Sequence, residues 1–543
     1  MTGRRHRERA APAGGVVIVA LATQQLLMAY DSTAMNVAIS NIVVDLHTTL
    51  SGVQSAISVY ALVMAALMIT GSKLGTRHGH TRMFTLGAVT YGVGALTTSL
   101  SPNLAVMLFG WSLLEGIGAA LIFPAIFSIA TKSFTGARRT RALATVGAAT
   151  GVGAALGPIL CGVISTYLTW RVSFFMETLV TTTVIVLMRR ALEPRPERPA
   201  QSFDVIGVVL SALSLGLIVF SVLLIGKYGL LTARVDVVVF GQTVVTRGDV
   251  APTPVLGLAG LVILVLFGWW ERHRILRGRD PLVRLAVLRD RTTRVGSATL
   301  GMQFLVTAGS LFLVPVFVQT TLDYNALDSG LTLLPTTVAL IIAATTASQL
   351  VSMGKVTRRP LIALGFLLIA AGSITVALSF DPNGSGLRLA PGLAISGLGL
   401  GLCAILPDLV QSAAPADAVS DVAGLSRSAS YLGQSIGVAL AGALMVGVLV
   451  HTFTEGVRTS TVLTARQKDQ IDRALDSQVQ ATAVSDRHLE AALAKRGVAG
   501  PQAADLVQIN AKARDRGLTA AVSGMGLVAL IGCGLALRLP RRR

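Results

Sequence analysis

Apolar residues in this chain gather into blocks about as long as a bilayer is thick, separated by short polar loops. A helix needs about 20 predominantly apolar residues to cross the hydrocarbon layer. Windows of that kind fall near residues 16–40, 53–72, 83–100, 104–130, 142–165, 172–188, 205–226, 254–271, 295–319, 331–352, 360–380, 389–411, 423–450 and 518–538. The pattern therefore predicts fourteen membrane helices. The first block is too long for the core of a signal peptide and lacks an evident small-residue cleavage site, so it is read as a retained helix.

Within the fifth block, residues 147–162 read GAATGVGAALGPILCG. At helical spacing Gly147, Gly151, Ala154, Pro158 and Gly162 share one stripe, with Gly153 and Gly157 beside it. Small residues on one face let a neighbouring helix approach almost to backbone contact, so this helix is expected at an interface between bundles. Pro158 removes a backbone donor and bends the helix.

Polar segments divide the blocks. The Pro/Arg-rich stretch 193–201 follows six spans, and the Arg-rich stretch 271–294 precedes another six. The expected organisation is a six-helix bundle over 1–190, a linker with two extra membrane helices over 191–280, and a second six-helix bundle over 281–543. Two insertions stand out. Residues 229–251 hold a β-branched run around Gly241-Gln242, as expected of a short external β-hairpin. Residues 451–517 are polar and mixed in charge, and two or three short amphipathic helices are expected there. The fold class is thus an all-α polytopic membrane protein.

Composition agrees: 52% of the 543 residues are hydrophobic and 13% charged, with mean hydropathy +0.68. The net charge of +19 raises the question of nucleic acid, and its distribution answers it. Basic residues occupy alternate loops, as in Arg4, Arg5, Arg7 and Arg9, then Lys73, Arg77 and Arg82, then Lys132, Arg138, Arg139 and Arg141. The pattern ends on Arg541, Arg542 and Arg543. The positive-inside rule then puts both termini in the cytoplasm of a multi-pass protein of the cell (inner) membrane. Cys161, Cys403 and Cys533 all fall in apolar blocks and offer neither a disulfide framework nor metal-ligand spacing. No phosphate-binding loop and no catalytic arrangement stands in a loop, so no enzyme, cofactor or metal is expected. No nucleic acid and no obligate protein partner is evident.

Charges inside the apolar blocks carry the candidate chemistry. Asp31 lies in the outer part of span 1 and Glu115 well inside span 4. A carboxylate at such depth costs about 3 kcal/mol unless it meets water, a partner or a ligand, so both are read as proton-coupling or substrate groups. Glu177 follows Trp170-Arg171 and is read either as a cavity residue or as a partner of Arg171 at the interface. Asn36, Gln54, Gln303 and Gln319 are further cavity candidates, with interhelical hydrogen bonds as the alternative. Asp408 and Arg427, near the inner ends of spans 12 and 13, are expected to pair as an inner gate.

Several local motifs, taken in order, resemble the major facilitator superfamily and in particular its fourteen-span drug:proton antiporter group. Gly153 to Gly157-Pro158 is similar to the antiporter signature of the fifth helix, and the run from Tyr30-Asp31 to Ala38 to that group's first-helix motif. Gly71, Leu74, Arg77, Gly79 and Arg82 resemble the conserved loop between helices 2 and 3. Phe203-Asp204 with Gly207, Asp280-Pro281-Leu282, and Gln319 followed by Ser329-Gly330-Leu331 and Pro335 resemble the flanks of the extra helices and the helix 9 to 10 region. Two positions depart. The conserved-loop Asp falls at Thr76, and the pattern Arg-x-x-Gln-Gly reads Ser112-Leu113-Leu114-Glu115-Gly116, so the arginine associated with proton coupling is absent.

The resemblance implies a secondary exporter of amphipathic or lipophilic small molecules working by alternating access, with protons, the substrate and membrane lipids as its partners. An exporter or flippase of lipid or cell-envelope precursors keeps the same architecture. A non-transporting scaffold or sensor is the reading from another class, and it leaves Asp31 and Glu115 unexplained.

Overall fold

The computed structural model describes residues 11–189, 204–234, 236–239, 242–283, 285–381, 384–412, 419–468, 471, 489–490, 493–494 and 500–540. The expectations for Arg4, Arg5, Arg7 and Arg9, for 193–201, for Gly241, for most of 469–499 and for Arg541, Arg542 and Arg543 lie outside them. Six helices come first: α1 (Ala11–Ala34), α2 (Leu50–His78), α3 (His80–Ser99), α4 (Leu104–Ser133), α5 (Gly136–Tyr167) and α6 (Trp170–Met188). Two follow, α7 (Val205–Tyr228) and α8 (Pro252–Leu276). The last six are α9 (Arg291–Thr320), α10 (Ala326–Ser352), α11 (Arg358–Leu378), α12 (Gly386–Ser412), α13 (Val419–Thr459) and α14 (Pro501–Ala536).

Thirteen of these helices are long and apolar enough to span a membrane. The one outside that set, α3, is diluted by glycine and threonine, yet its 20 residues reach across and it packs between α4 and α6. Each of the fourteen expected spans therefore has its helix. Helices α1 to α6 pack on one another, as do α9 to α14, and α7 pairs with α8. The basic loops mark one face, called here the basic face.

Between α7 and α8, strands β1 (Val237–Val239) and β2 (Gln242–Val245) form the antiparallel hairpin, with Val239 paired to Gln242. At the other end of the pair Asp204 caps α7 through the Gly207 amide at 2.9 Å. It also accepts from Trp270 at 3.0 Å and meets Arg274 at 3.3 Å, while the Val283 amide donates to Glu271. The two motifs flanking the extra helices are thus one buried lock.

In the 451–517 insertion the short pieces 465–468, 489–490 and 493–494 are helical, and most of 469–499, where short helices are expected, lies outside the described residues. The described part of the insertion is mainly the continuation of α13 and α14, whose 41 and 36 residues exceed what a bilayer needs. Leu449, Phe453 and Val457 of α13 bury themselves against Leu506 and Ala513 of α14. An apolar seam between two helices already adjacent in the membrane holds them paired beyond it, and Ile471 and Leu493 pack onto that seam.

Two seams join the first and last six helices. Along α2 and α13 the contact runs the full depth: Gln54 donates to the Val438 carbonyl at 3.0 Å, Ser435 to Ser58 at 2.6 Å and Ser428 to Ala65 at 2.8 Å, and Lys73 meets Asp421 at 3.6 Å on the basic face. Between α5 and α10 it does not. A Cβ on Gly162 would stand 2.8 Å from the Ala326 carbonyl, one on Gly330 would strike the Pro158 carbonyl, and the Leu327 amide donates to Thr166 at 3.1 Å. Toward the basic face, however, nothing lies within 4 Å of a Cβ built on Gly147 or Gly151. The small-residue stripe expected to be one interface is therefore used at its outer end, while Gly153 and Gly157 pack on α1 against Leu26 and Tyr30.

This asymmetry is testable with Thr166→Cys and Leu327→Cys, which should cross-link readily under mild oxidation. Gly330→Val should suppress that cross-link, because overpacking of about 1–3 kcal/mol falls on the closed end of the seam. Unchanged cross-linking in the triple variant would contradict the packing described.

Candidate functional site

Three carboxylates from three helices meet in the interior of the first six helices. Asp31 of α1, Glu115 of α4 and Glu177 of α6 each place an oxygen within 4.8 Å of the others. All three are buried. The Asp31 carboxylate accepts from Trp111 at 2.9 Å, Glu177 accepts from the Tyr91 hydroxyl at 2.7 Å, and Glu115 accepts weakly from Thr98 at 3.4 Å. One oxygen of Asp31 and one of Glu115 make no hydrogen bond of ordinary geometry, although the Tyr60 hydroxyl stands beside Asp31 and the Tyr91 hydroxyl beside Glu115.

Local backbone explains why these side chains converge. Residues Leu108–Glu115 of α4 form a π-helix, whose wider turns shift side chains around the axis and which recurs at functional sites. It carries Trp111 toward Asp31 and ends on Glu115. Close approach of α3 does the rest. A Cβ on Gly94 would stand 2.7 Å from Glu115 Cγ and from the Gly110 carbonyl, and one on Gly118 would stand 2.6 Å from the Tyr91 amide. Glycine is required at both positions because backbone, not a movable side chain, occupies the space.

Aromatic rings wall the cluster. Tyr60 stacks on Trp111 with centroids 5.3 Å apart, and Phe174 meets Trp111 edge-on at 6.3 Å. Tyr30 and Ser173 exchange a hydrogen bond close by. At unit charge, carboxylates this near repel by about 3 kcal/mol per pair even at an effective dielectric of about 20. Arg171, the basic residue nearest in sequence to Glu177, does not offset that repulsion, since it pairs with Asp45 at 3.0 Å. The arrangement is therefore suited to taking up protons or a cation.

The other candidates are placed as follows. Glu177 joins the cluster and does not pair with Arg171. Gln54 and Gln319 stitch helices together, the latter donating to the Val37 carbonyl at 3.0 Å and to Ser329 at 3.0 Å. Asn36 donates to the Thr33 carbonyl at 3.4 Å and leaves its own oxygen unpartnered, as does Gln303. The expected gate pair is corrected. Asp408 pairs with Arg358 at 2.8 Å instead, and the Arg427 guanidinium lies 4.8 Å over the Phe123 ring. Arg358 starts the neighbouring α11 and presents its fork to the end of α12, where Asp408 lies, so Arg427 is left to an aromatic face.

Both departures in the motifs have structural counterparts. Ser112, at the place of the missing arginine, donates to the Ala56 carbonyl at 2.8 Å and ties α4 to α2. Thr76 bonds back to Ser72 within its own helix at 3.2 Å and links nothing else. Sequence reading missed Trp111, Tyr91, Thr98 and Gly94. Only the seven-residue spacing of Gly87 and Gly94, on one face of α3, signalled a close approach there.

A family model described as Major Facilitator Superfamily matches residues 21–438. The chain is 28% identical to a tetracenomycin C resistance and export protein of Streptomyces glaucescens over 81% of this chain and 77% of that one. It is 28% identical to a probable actinorhodin transporter of Streptomyces coelicolor over 79% and 72%, and 24% identical to the multidrug resistance protein Stp of Mycobacterium tuberculosis over 80% and 77%. Among solved structures, a bacterial homologue of the human lysosomal transporter Spinster superposes with a TM-score of 0.62 at 13% identity, covering 97% and 98% of the two chains, which is a likeness of fold.

The Trp111 indole is the donor that holds Asp31 in place. Trp111→Phe should lower the thermal stability of the detergent-solubilised protein by about 1–3 kcal/mol, the cost of leaving a buried acceptor unmet. Ser112→Ala, a neutral bond to a carbonyl, should cost less. Equal losses in the two variants would contradict the role given to the indole.

Proposed function

Because the chain belongs to the Major Facilitator Superfamily, we propose that it is a secondary exporter of small amphipathic or lipophilic molecules, driven by protons exchanged at Asp31, Glu115 and Glu177. Drug and antibiotic efflux is the activity that the named relatives support. The basic face is cytoplasmic in this reading, since positively charged loops are retained on that side, and both termini lie there. Residues 1–190 and 281–543 are the two bundles that rock against each other, with 191–280 carrying the extra helix pair beside the α2 and α13 seam.

One observation carries the coupling: three buried carboxylates within 4.8 Å of one another, two of them with an oxygen that makes no hydrogen bond of ordinary geometry. Protons remove the repulsion among them. A proton arriving from outside therefore favours one packing of α1, α4 and α6, and its loss to the cytoplasm favours the other. Coupling requires only that the two states differ in proton and substrate affinity. The missing arginine at Ser112 shifts this task onto the carboxylates themselves. No protein partner and no cofactor enters the scheme.

Proteoliposomes with an acidic lumen should accumulate a lipophilic fluorescent dye when they contain the wild-type protein, and an ionophore that collapses the gradient should abolish accumulation. Asp31→Asn and Glu115→Gln should lose gradient-driven accumulation while still allowing slow dye equilibration. Accumulation at wild-type rates in both variants would overturn the site assignment, and accumulation indifferent to the ionophore would overturn proton coupling.

A further inference from the structure

The carboxylate cluster is not where the open space lies. An open cleft sits between the bundles, lined by Thr33, Asn36 and Gly151 on one side and by Thr307, Thr336 and Ile341 on the other. It shares Thr307, Leu311 and Thr336 with a second, narrower recess that enters the last six helices and reaches Ser310, Ser373 and Ser396. None of the residues lining either cavity is charged.

Polar atoms along these walls lack partners. The Asn36 amide nitrogen is spent on the Thr33 carbonyl, and its oxygen is buried with no donor in reach. The Thr336 hydroxyl is likewise buried and unpartnered, although it lines both cavities. Buried polar atoms without partners are uncommon in native proteins and call for an explanation. Between them the walls are aliphatic, from Leu311, Leu333 and Leu400.

The mouth of the cavity has its own chemistry. It reaches Gly151 and Ile341, where α5 and α10 have parted and a Cβ on Gly151 would meet nothing within 4 Å. Around it Val152, Leu156, Val338, Ile341 and Ile342 stand exposed. An apolar rim on a membrane-facing cleft faces acyl chains, since a water-filled vestibule is lined by polar side chains.

We propose that this double cavity is the substrate site, that it takes an uncharged hydroxylated ring compound such as a polycyclic phenol, and that the compound enters sideways from the leaflet at the basic face, between α5 and α10. This rests on the exporter reading and names its substrate class. An ion would be desolvated in the cavity with no opposite charge to meet it, so the neutral form is bound. Hydroxyl donors on the compound meet the Asn36 oxygen and the Thr336 hydroxyl, and its apolar rings replace lipid or water against the leucines. Substrate and proton then occupy different places, and they communicate through α1, which carries Asp31 and runs at Ala34 into the turn that holds Asn36.

Equilibrium binding to the full-length protein in nanodiscs, with no gradient present, tests this apart from coupling. The probes are 2,7-dihydroxynaphthalene, a fluorescent dye whose hydroxyls have no internal acceptor, and its dimethoxy analogue, which has the same rings and no hydroxyl donor. The dihydroxy dye should bind more tightly, and Asn36→Leu and Thr336→Val should each weaken it by about three- to tenfold, the worth of one hydrogen bond, while changing the dimethoxy dye little. Gly151→Cys should react with N-ethylmaleimide, against a background in which the native cysteines are buried, and the dihydroxy dye should protect it. Equal binding of the two dyes, or variants that weaken neither, would overturn the substrate class. Labelling unaffected by dye would overturn the location, whatever the variants do. Tight binding without gradient-driven accumulation would leave this site standing and remove the coupled-export reading instead.

Discussion

Burying carboxylates in a bilayer is the constraint on which the rest of this molecule depends. Asp31, Glu115 and Glu177 lie inside a bundle of apolar helices, and each keeps at least one hydrogen bond, from Trp111, Thr98 and Tyr91 respectively. Those donors reach their acceptors only because the π segment of α4 turns Trp111 inward and because glycines let α3 approach α4 to backbone contact. The oxygens left over on Asp31 and Glu115 are the part of the arrangement that packing leaves without a hydrogen bond of ordinary geometry. On the proposed reading they are where protons act.

The same reliance on small residues governs how the two halves meet. Toward the outer face α5 and α10 close through Gly162 and Gly330, each against a carbonyl-bearing stretch of the other helix. Toward the basic face they part, while α2 and α13 remain joined by side-chain hydrogen bonds to backbone carbonyls from Gln54 to Ser428. One seam is therefore joined along its length and the other is open toward the basic face. The extra pair α7 and α8 flanks the joined seam, with α7 packed on both α2 and α13, and so leaves the opening between α5 and α10 unobstructed.

Much of this was legible in the sequence. Blocks of apolar residues gave all fourteen helices, including α3, whose glycines and threonines lower its hydropathy below that of the other thirteen. Asp31 and Glu115 were evident as acids in apolar surroundings. Glu177 was ambiguous, since Arg171 six residues earlier offered an ordinary partner, and only the fold shows that Asp45 has taken it. The pairing of Asp408 with Arg427 failed for the same reason: sequence distance does not reveal that Arg358 stands nearer. Trp111 and Tyr91 were invisible as ligands of carboxylates, because an aromatic residue in a membrane helix normally signifies packing alone. The long reach of α13 and α14 was hidden by their polar outer faces, which masked the buried line of Leu449, Phe453 and Leu506.

The central claim is that proton occupancy of the carboxylate cluster and substrate occupancy of the cavity are linked. Proton release on substrate binding, followed with a pH-sensitive dye in weakly buffered, detergent-solubilised protein, tests that link most directly. The account predicts a net release from the wild-type protein that disappears when Asp31 and Glu115 are replaced together by Asn and Gln. Substrate binding that moves no protons in the wild type, or the same release from the double variant, would contradict it.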